Sequence, residues 1–345
     1  MYGTSLAGHG PAPIGHNGGP MMMSDAALAM LGVTDAEVRT WAFFLNQVSK
    51  IESQVYEIQY PTVRYASLIP VDTSGPEWLQ AVTYFSLDRA GAAQWFHANA
   101  QDVPLVGLTR NMFATSVQMA AIGYGYNEEE LAVYNMAGGG NLTADKAAVA
   151  RKAAEEFIDR VAFFGDANMG FQGLTNNSNV TSGLVANTGT GSSRLWSAKT
   201  ADQILADVNS LLTGIYTGSS GVELADTLLL PQTAFITAVT TSRSPNSDTT
   251  VMEFIMRTNV YTMETGRPLT IRGVWGLDTL GAGNTGRMIA YRRDPGVLKL
   301  IMPMPFQFRQ PWRRGPLMYE VPGIFRLGGL DIRRPAAVRY GDGIC

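Results

Sequence analysis

Apolar positions recur along this chain in different rhythms, and each rhythm predicts a different kind of element. Ahead of Tyr60-Pro61, Val38, Trp41, Leu45, Val48, Ile51, Val55 and Ile58 return at intervals of three and four, which is one face of an α-helix. Thr34 and Glu37 stand before it at capping-box spacing. The stripe carries Trp41 and is flanked by Phe43 and Phe44, so it needs a docking surface, either on its own subunit or on a neighbouring chain. A second helix is predicted from Thr143, with Ala150, Ala154, Phe157, Val161 and Phe164 on one face and Gly165 as its stop. Lys152, Glu155, Glu156, Asp159 and Arg160 lie largely on the other face, and a charged face of this kind reads as solvated. Glu156 and Arg160, four apart, support the helix by about 0.3 kcal/mol. Thr200 and Gln203 form a capping box for a third helix, whose apolar face is Ile204, Leu205, Val208, Leu211, Leu212 and Ile215.

Elsewhere the pattern shortens towards a period of two. VTYFSLD and TRNMFATSVQMAAIGYGY are rich in β-branched and aromatic residues and predict long strands. The stretch between them, DRAGAAQWFHANAQDVPLVG, is long and turn-rich. It is either an ordinary hairpin with a long surface loop or a projecting functional element. TLLLP reads as a buried strand leading to Pro231 in the first turn of a helix, and Thr250 with Glu253 caps another. The tail beyond residue 297 is strand-rich and punctuated by Pro and Gly, near the pairs Arg292-Arg293, Arg313-Arg314 and Arg333-Arg334. No internal repeat is present, and the mixture is of the α+β class.

Composition narrows the function. With 345 residues, 46% of them hydrophobic, the chain has enough apolar content for a sizeable core. Its 26 basic and 29 acidic residues leave a formal charge of -3, without the basic excess of a dedicated nucleic-acid binder. The single cysteine, Cys345, excludes an intramolecular disulfide and a multi-cysteine metal site and points to a cytosolic setting. No apolar run approaches the roughly 18 residues of a membrane span, so a soluble protein without membrane contact is expected. The first twenty residues have neither a basic n-region nor an apolar h-region and read as a flexible Gly/Pro-rich arm. The Asn-x-Thr matches at Asn141 and Asn179 are then chance.

Catalytic patterns are missing. Gly281-Ala-Gly283-Asn-Thr-Gly286 matches a dinucleotide fingerprint, but the RMIAYRRD that follows reads as a strand where phosphate binding needs a helix, so a hairpin turn is expected. No Gly-Lys-Ser or Gly-Lys-Thr occurs. His9 and His16 sit in the arm, and His97 lacks a nucleophile elbow or a zinc motif around it. Glu155-Glu156 is a pair of acids on a helix face. No catalytic, cofactor-binding or metal site is therefore expected.

The order of segments carries more information than any one motif. DRAGAAQWFHANAQDVP, GYGYNEEEL, the Ala-rich helix ending VAFFGD, GFQGLTNNSNV, WSAKTADQILADVN, the LLLP strand and YEVPGIFRLGGLDIRRPAAVRYGDG follow one another as in the HK97-like major capsid proteins of tailed phages. The encapsulin-like branch is the nearest in kind, and the resemblance spans roughly residues 82–345. It implies a flexible arm (1–33), an N-terminal helix and the start of a peripheral domain (34–80), an extended loop (81–126), a peripheral domain with a spine helix (127–184), an axial domain (185–290) and a return to the peripheral domain (291–345).

The implied function is a self-assembling icosahedral shell of pentamers and hexamers around a double-stranded DNA genome, formed in the host bacterial cytoplasm and found in the virion. The DNA would be met by weak, non-specific contact only, and a portal and a separate scaffolding protein would be partners. An encapsulin-type compartment shell and a soluble α+β enzyme or binding protein are the alternatives. Some relatives join an extended-loop lysine to a neighbour's asparagine. Here Lys50, Lys146, Lys152, Lys199 and Lys299 all lie outside residues 81–126, so a non-covalent shell is expected. Within the loop, Trp95 and Phe96 are the expected inter-subunit anchors, with Asp88 and Arg89 as charged rim residues.

Overall fold

The computed structural model describes residues 63–90, 106–136, 141–244 and 246–345, with residues 88–90 described through their backbone. The predicted N-terminal helix, Trp95, Phe96 and all three histidines lie outside them. A short helix α1 (Tyr65–Leu68) and strand β1 (Val71–Asp72) precede an antiparallel ribbon of β2 (Ala81–Ala90) and β3 (Gly107–Ser116). Strands β4 (Gln118–Ala121) and β5 (Tyr124–Asn127) and helix α2 (Glu128–Met136) lead to the long helix α3 (Leu142–Phe164). Then come β6 (Thr181–Leu184), α4 (Ala201–Gly218), β7 (Thr227–Pro231), α5 (Gln232–Thr240), α6 (Val251–Thr258), α7 (Val260–Thr265) and β8 (Thr270–Val274). The last part is strand: β9 (Arg287–Tyr291), β10 (Leu298–Ile301), β11 (Met304–Phe308), β12 (Trp312–Arg313), β13 (Met318–Val321), β14 (Gly323–Leu327), β15 (Leu330–Ile332) and β16 (Val338–Asp342).

A five-stranded mixed sheet, ordered β6-β16-β9-β7-β8, separates two hydrophobic cores. Strand β7 shows why TLLLP has no polar alternation: Leu229 points into one core, while Leu228 and Leu230 point into the other. Strand β9 divides in the same way, Ile289 and Tyr291 to the first core and Met288 and Ala290 to the second. The parallel pairing of β7 with β8 needs a crossover, and helices α5 to α7 supply it. The second core is closed by Ile204, Val208, Leu211, Leu212 and Ile215 of α4. This helix begins at the predicted capping box, in which Gln203 N–H donates to Thr200 and Thr200 N–H donates to the Gln203 side chain.

Helix α3 serves the first core through Ala154, Ile158, Val161, Ala162 and Phe163, with Phe157 and Phe164 packed at its margin. It opens one residue before the predicted start. Asn141 is its cap, its side chain accepting from the N–H groups of Thr143 and Ala144. Gly165 ends it with φ of 73°, and a Cβ there would run into the Phe171 carbonyl.

The charged face of α3 is not merely solvated. Asp159 accepts from the backbone N–H of Arg64 (2.9 Å) and of Tyr65 (2.8 Å), and Glu155 accepts from the Tyr65 hydroxyl (2.7 Å). Two carboxylates thus seat α1 on the long helix, and burial together with Glu155 pushes the Tyr65 phenol well above its ordinary pKa.

Other predictions shift for local reasons. The second long strand is divided into β3, β4 and β5, and β4 leaves the ribbon to pair with β14 while β5 pairs with β13. Pro231 ends β7 and occupies the cap position of α5 rather than its first turn. The Gly281–Gly286 segment does turn, with Gly281 N–H donating to the Thr285 carbonyl, and a strand follows it. It is not a hairpin between sheet neighbours, because β7 lies between β8 and β9.

Asp159→Ala leaves two partly buried N–H groups without acceptors and is expected to lower the stability of the unassembled subunit by about 2 kcal/mol. Urea unfolding measures this, and Asp159→Asn, which retains the acceptor oxygen, should recover most of the loss.

Candidate functional site

Among the described residues the ribbon presents a face that nothing buries. Its register runs from Ala81 opposite Ser116 to Ala90 opposite Gly107. Alternation along paired strands puts Phe85, Leu87, Leu108 and Met112 on one face together with Arg110. All four apolar side chains are exposed, and the Arg110 guanidinium lies 3.6 Å from the Phe85 ring centroid. On the opposite face Tyr84 stacks on Phe113 at 5.3 Å. A contiguous apolar face on a two-stranded ribbon cannot stabilise itself in water. Of the residues predicted as contacts, Asp88 pairs in register with Thr109 and Arg89 with Leu108, towards the far end of the ribbon. Trp95 and Phe96 lie outside the described residues.

The ribbon is fixed at its root. Val117 N–H donates to the Gln80 carbonyl at 2.8 Å, closing the two strands. The Arg333 guanidinium sits 4.7 Å from the Tyr84 ring and donates to Asp331 at 3.1 Å. Trp78, 59% exposed in the segment leading to β2, has the guanidiniums of Arg309 and Arg326 each 5.8 Å from its ring. Sequence reasoning missed Trp78, Arg326 and Arg333. The available signal was a tryptophan in the polar stretch SGPEWLQ, a poor place for a core residue. Upstream, β1 pairs with β10, and Asp72 forms an ion pair with Lys299 across that sheet.

Elsewhere the polar groups hold structure together. Asp207 is buried beside Lys199 (2.6 Å) and Trp196 (3.1 Å). Burial pushes its carboxyl up, and these two donors oppose the shift. Arg287 grips Asp342 through two bonds of 2.7 and 2.8 Å. Glu223 accepts from Arg292 (2.8 Å) and Arg334 (2.6 Å). Among the described residues no cluster of His, Cys, Asp and Glu could hold a metal ion, and no helix is long and apolar enough to cross a membrane.

Burial would raise the Asp72 carboxyl, but Lys299 and the Ser74 hydroxyl and N–H outweigh it and bring its pKa to about 2. A folded-state pKa below the unfolded value of about 3.9 contributes stability above that value, and the contribution is lost as pH falls from about 4 to about 2. Lys299→Met should therefore melt below wild type at pH 6, with the gap between the two closing as pH falls through that window; a gap independent of pH would contradict the pairing.

With the geometry in place, comparisons with known proteins give a consistent result. Residues 91–344 match the family described as major capsid protein. Among solved structures, the chain is similar to the capsid of Myoviridae phage XM1 with a TM-score of 0.71 at 17% identity, over 87% of this chain and 98% of that one. It is also similar to Mycobacterium phage Ogopogo (TM-score 0.56, 12% identity, 88% and 98%) and to the capsid of an empty GTA particle (0.53, 11%, 88% and 98%). No curated protein matches in sequence. At these identities the structural likenesses establish the fold, which is HK97-like, and the family match supplies the role and does not favour the encapsulin alternative. The chain belongs to the major capsid protein family and is a shell-forming structural protein with the HK97-like α+β fold.

Proposed function

We propose that this chain builds the icosahedral head of a tailed bacteriophage, as pentamers and hexamers enclosing double-stranded DNA, without catalytic activity. The observation that carries this is the ribbon: four apolar side chains that stand exposed on one face of it among the described residues. Burying each such side chain between copies contributes about 1.5–3 kcal/mol. Assembly takes place in the bacterial cytoplasm with a separate scaffolding protein and a portal. The formal charge of -3 suits weak, non-specific contact with the packaged DNA. The ranges 127–184 and 291–345 serve as the peripheral domain and 185–290 as the axial domain, with the two-faced sheet between them.

Purified chain, supplied with its scaffolding protein, is expected to sediment as closed particles that negative-stain micrographs show directly. Persistence as a folded monomer across micromolar concentrations would refute the proposal. Boiled particles should give one band near 37.3 kDa on a denaturing gel, because no lysine lies in the ribbon segment.

Trp95 and Phe96 act as anchors on a neighbouring subunit, with Asp88 and Arg89 at the rim. Trp95→Ala with Phe96→Ala should leave the subunit folded by circular dichroism and melting while particle yield falls sharply. Asp88→Ala or Arg89→Ala should cost under about 1 kcal/mol and reduce yield mildly. Normal yield from the folded double variant would remove the anchors from the proposal.

A further inference from the structure

Among the described residues the charged residues buried as a whole are Asp207, Glu223, Arg326, Asp331 and Asp342. Four of these are carboxylates in ion pairs, with Lys199, with Arg292 and Arg334, with Arg333, and with Arg287. Arg326 is the exception. It is 8% exposed on β14, its Nη2 makes one long contact of 3.4 Å to the Val117 carbonyl, and its Nε has no partner. A guanidinium taken out of water without a counter-ion is strongly disfavoured. The neighbouring Arg309 adds a second positive charge at the same indole, and among the described residues its one carboxylate partner is Glu77 at 3.9 Å. The root of the ribbon therefore presents two cations around an exposed Trp78 with one carboxylate partner, Glu77, for the two among the described residues.

The matching surface is on α2. This helix has no buried side chain. Glu129, Val133 and Met136 fall at i, i+4 and i+7, on one face, and the two apolar residues are 57% and 83% exposed. Glu129 and Val133 line an open concavity of about 390 Å³. Of the three consecutive glutamates, Glu130 is held by Lys146 at 2.5 Å and Glu128 receives the Tyr319 hydroxyl at 3.3 Å. Glu129 has no hydrogen-bond or ion-pair partner among the described residues.

We propose that the Glu129, Val133 and Met136 face of α2 in one copy of the chain seats on Trp78, Arg309 and Arg326 of a second copy. The Glu129 carboxylate supplies the counter-ion, and Val133 and Met136 cover the indole. The two patches differ, so the contact is heterologous and, repeated through a rotation that closes, it generates rings. This contact rests on the shell-building role proposed above.

Arg326→Met keeps the length of the side chain and removes the unpaired charge. The unassembled variant is expected to melt above wild type while its particle yield falls several-fold, whereas a merely structural arginine would leave the variant melting below wild type. Glu129→Lys, on an exposed helix, should leave the melt unchanged and abolish particles, and combining it with Arg309→Glu should return at least half of the wild-type yield. Wild-type particle yield from Glu129→Lys, or a charge-reversed pair no better than Glu129→Lys alone, would overturn the contact while leaving the shell function standing. A wild-type chain that forms no particles would overturn both.

Discussion

The fold depends on a sheet that must be apolar on both faces. Strand β7 places Leu229 in one core and Leu228 and Leu230 in the other, so neither core closes without the same five residues. The neighbouring β9 repeats the constraint, and β16, which gives Val338 and Tyr340 to the first core, joins β6 to the sheet. Long-range closure of this kind ties residues 181–184, 227–231, 270–274, 287–291 and 338–342 into one unit. It also explains the placement of the strongest polar contacts. The Arg287–Asp342 pair links two adjacent strands of that sheet, and Glu223 gathers Arg292 and Arg334 just beyond its strands. At such positions a charge needs a fixed partner because water is excluded.

A body closed in this way can hold a projection that has no core. The Val117–Gln80 bond closes the ribbon at its base and the Arg333–Tyr84 contact ties it to the body, while β4 and β5 diverge to separate small sheets. That divergence gives the ribbon a broad foot, because its second strand continues directly into β4 of the β11-β14-β4 sheet. The direction of the projection is thus set by backbone pairing, and the exposed face of Phe85, Leu87, Leu108 and Met112 is held in a defined orientation rather than collapsing onto the body.

What the sequence revealed and what it hid follow from the range of the interactions involved. Helices α3 and α4 were legible because their stripes are local, and the cap of α4 is local too: Thr200 and Gln203 bond each other three residues apart, and Ile204 to Ile215 repeat on one face. TLLLP was legible as buried because five residues without alternation fit nothing else. The role of Asp159 was not, since its partners Arg64 and Tyr65 lie more than 90 positions away and a carboxylate on a charged helix face normally meets water. The ribbon root was hidden for the same reason: Trp78, Arg309, Arg326 and Val117 converge only after β14 has paired with both β4 and β11. The single run TRNMFATSVQMAAIGYGY also concealed its changes of partner, because a β-rich run shows no signal where it leaves one sheet for another.

The apolar face of the ribbon and its charged root contribute differently to association. Apolar burial is non-directional, so the Phe85 face supplies affinity while leaving a neighbour free to slide along it. Charges within a few ångströms of one another penalise misplacement, because a shifted register brings like charges together or strands a buried one. Residues with fixed partners cannot take this part: Asp207, Asp331 and Asp342 are already committed inside the subunit. The positions that can set register are those that folding leaves uncompensated, and among the described residues Arg326 is one, at the foot of the ribbon, where a lever about ten residues long converts a small error at the root into a large displacement of the exposed face.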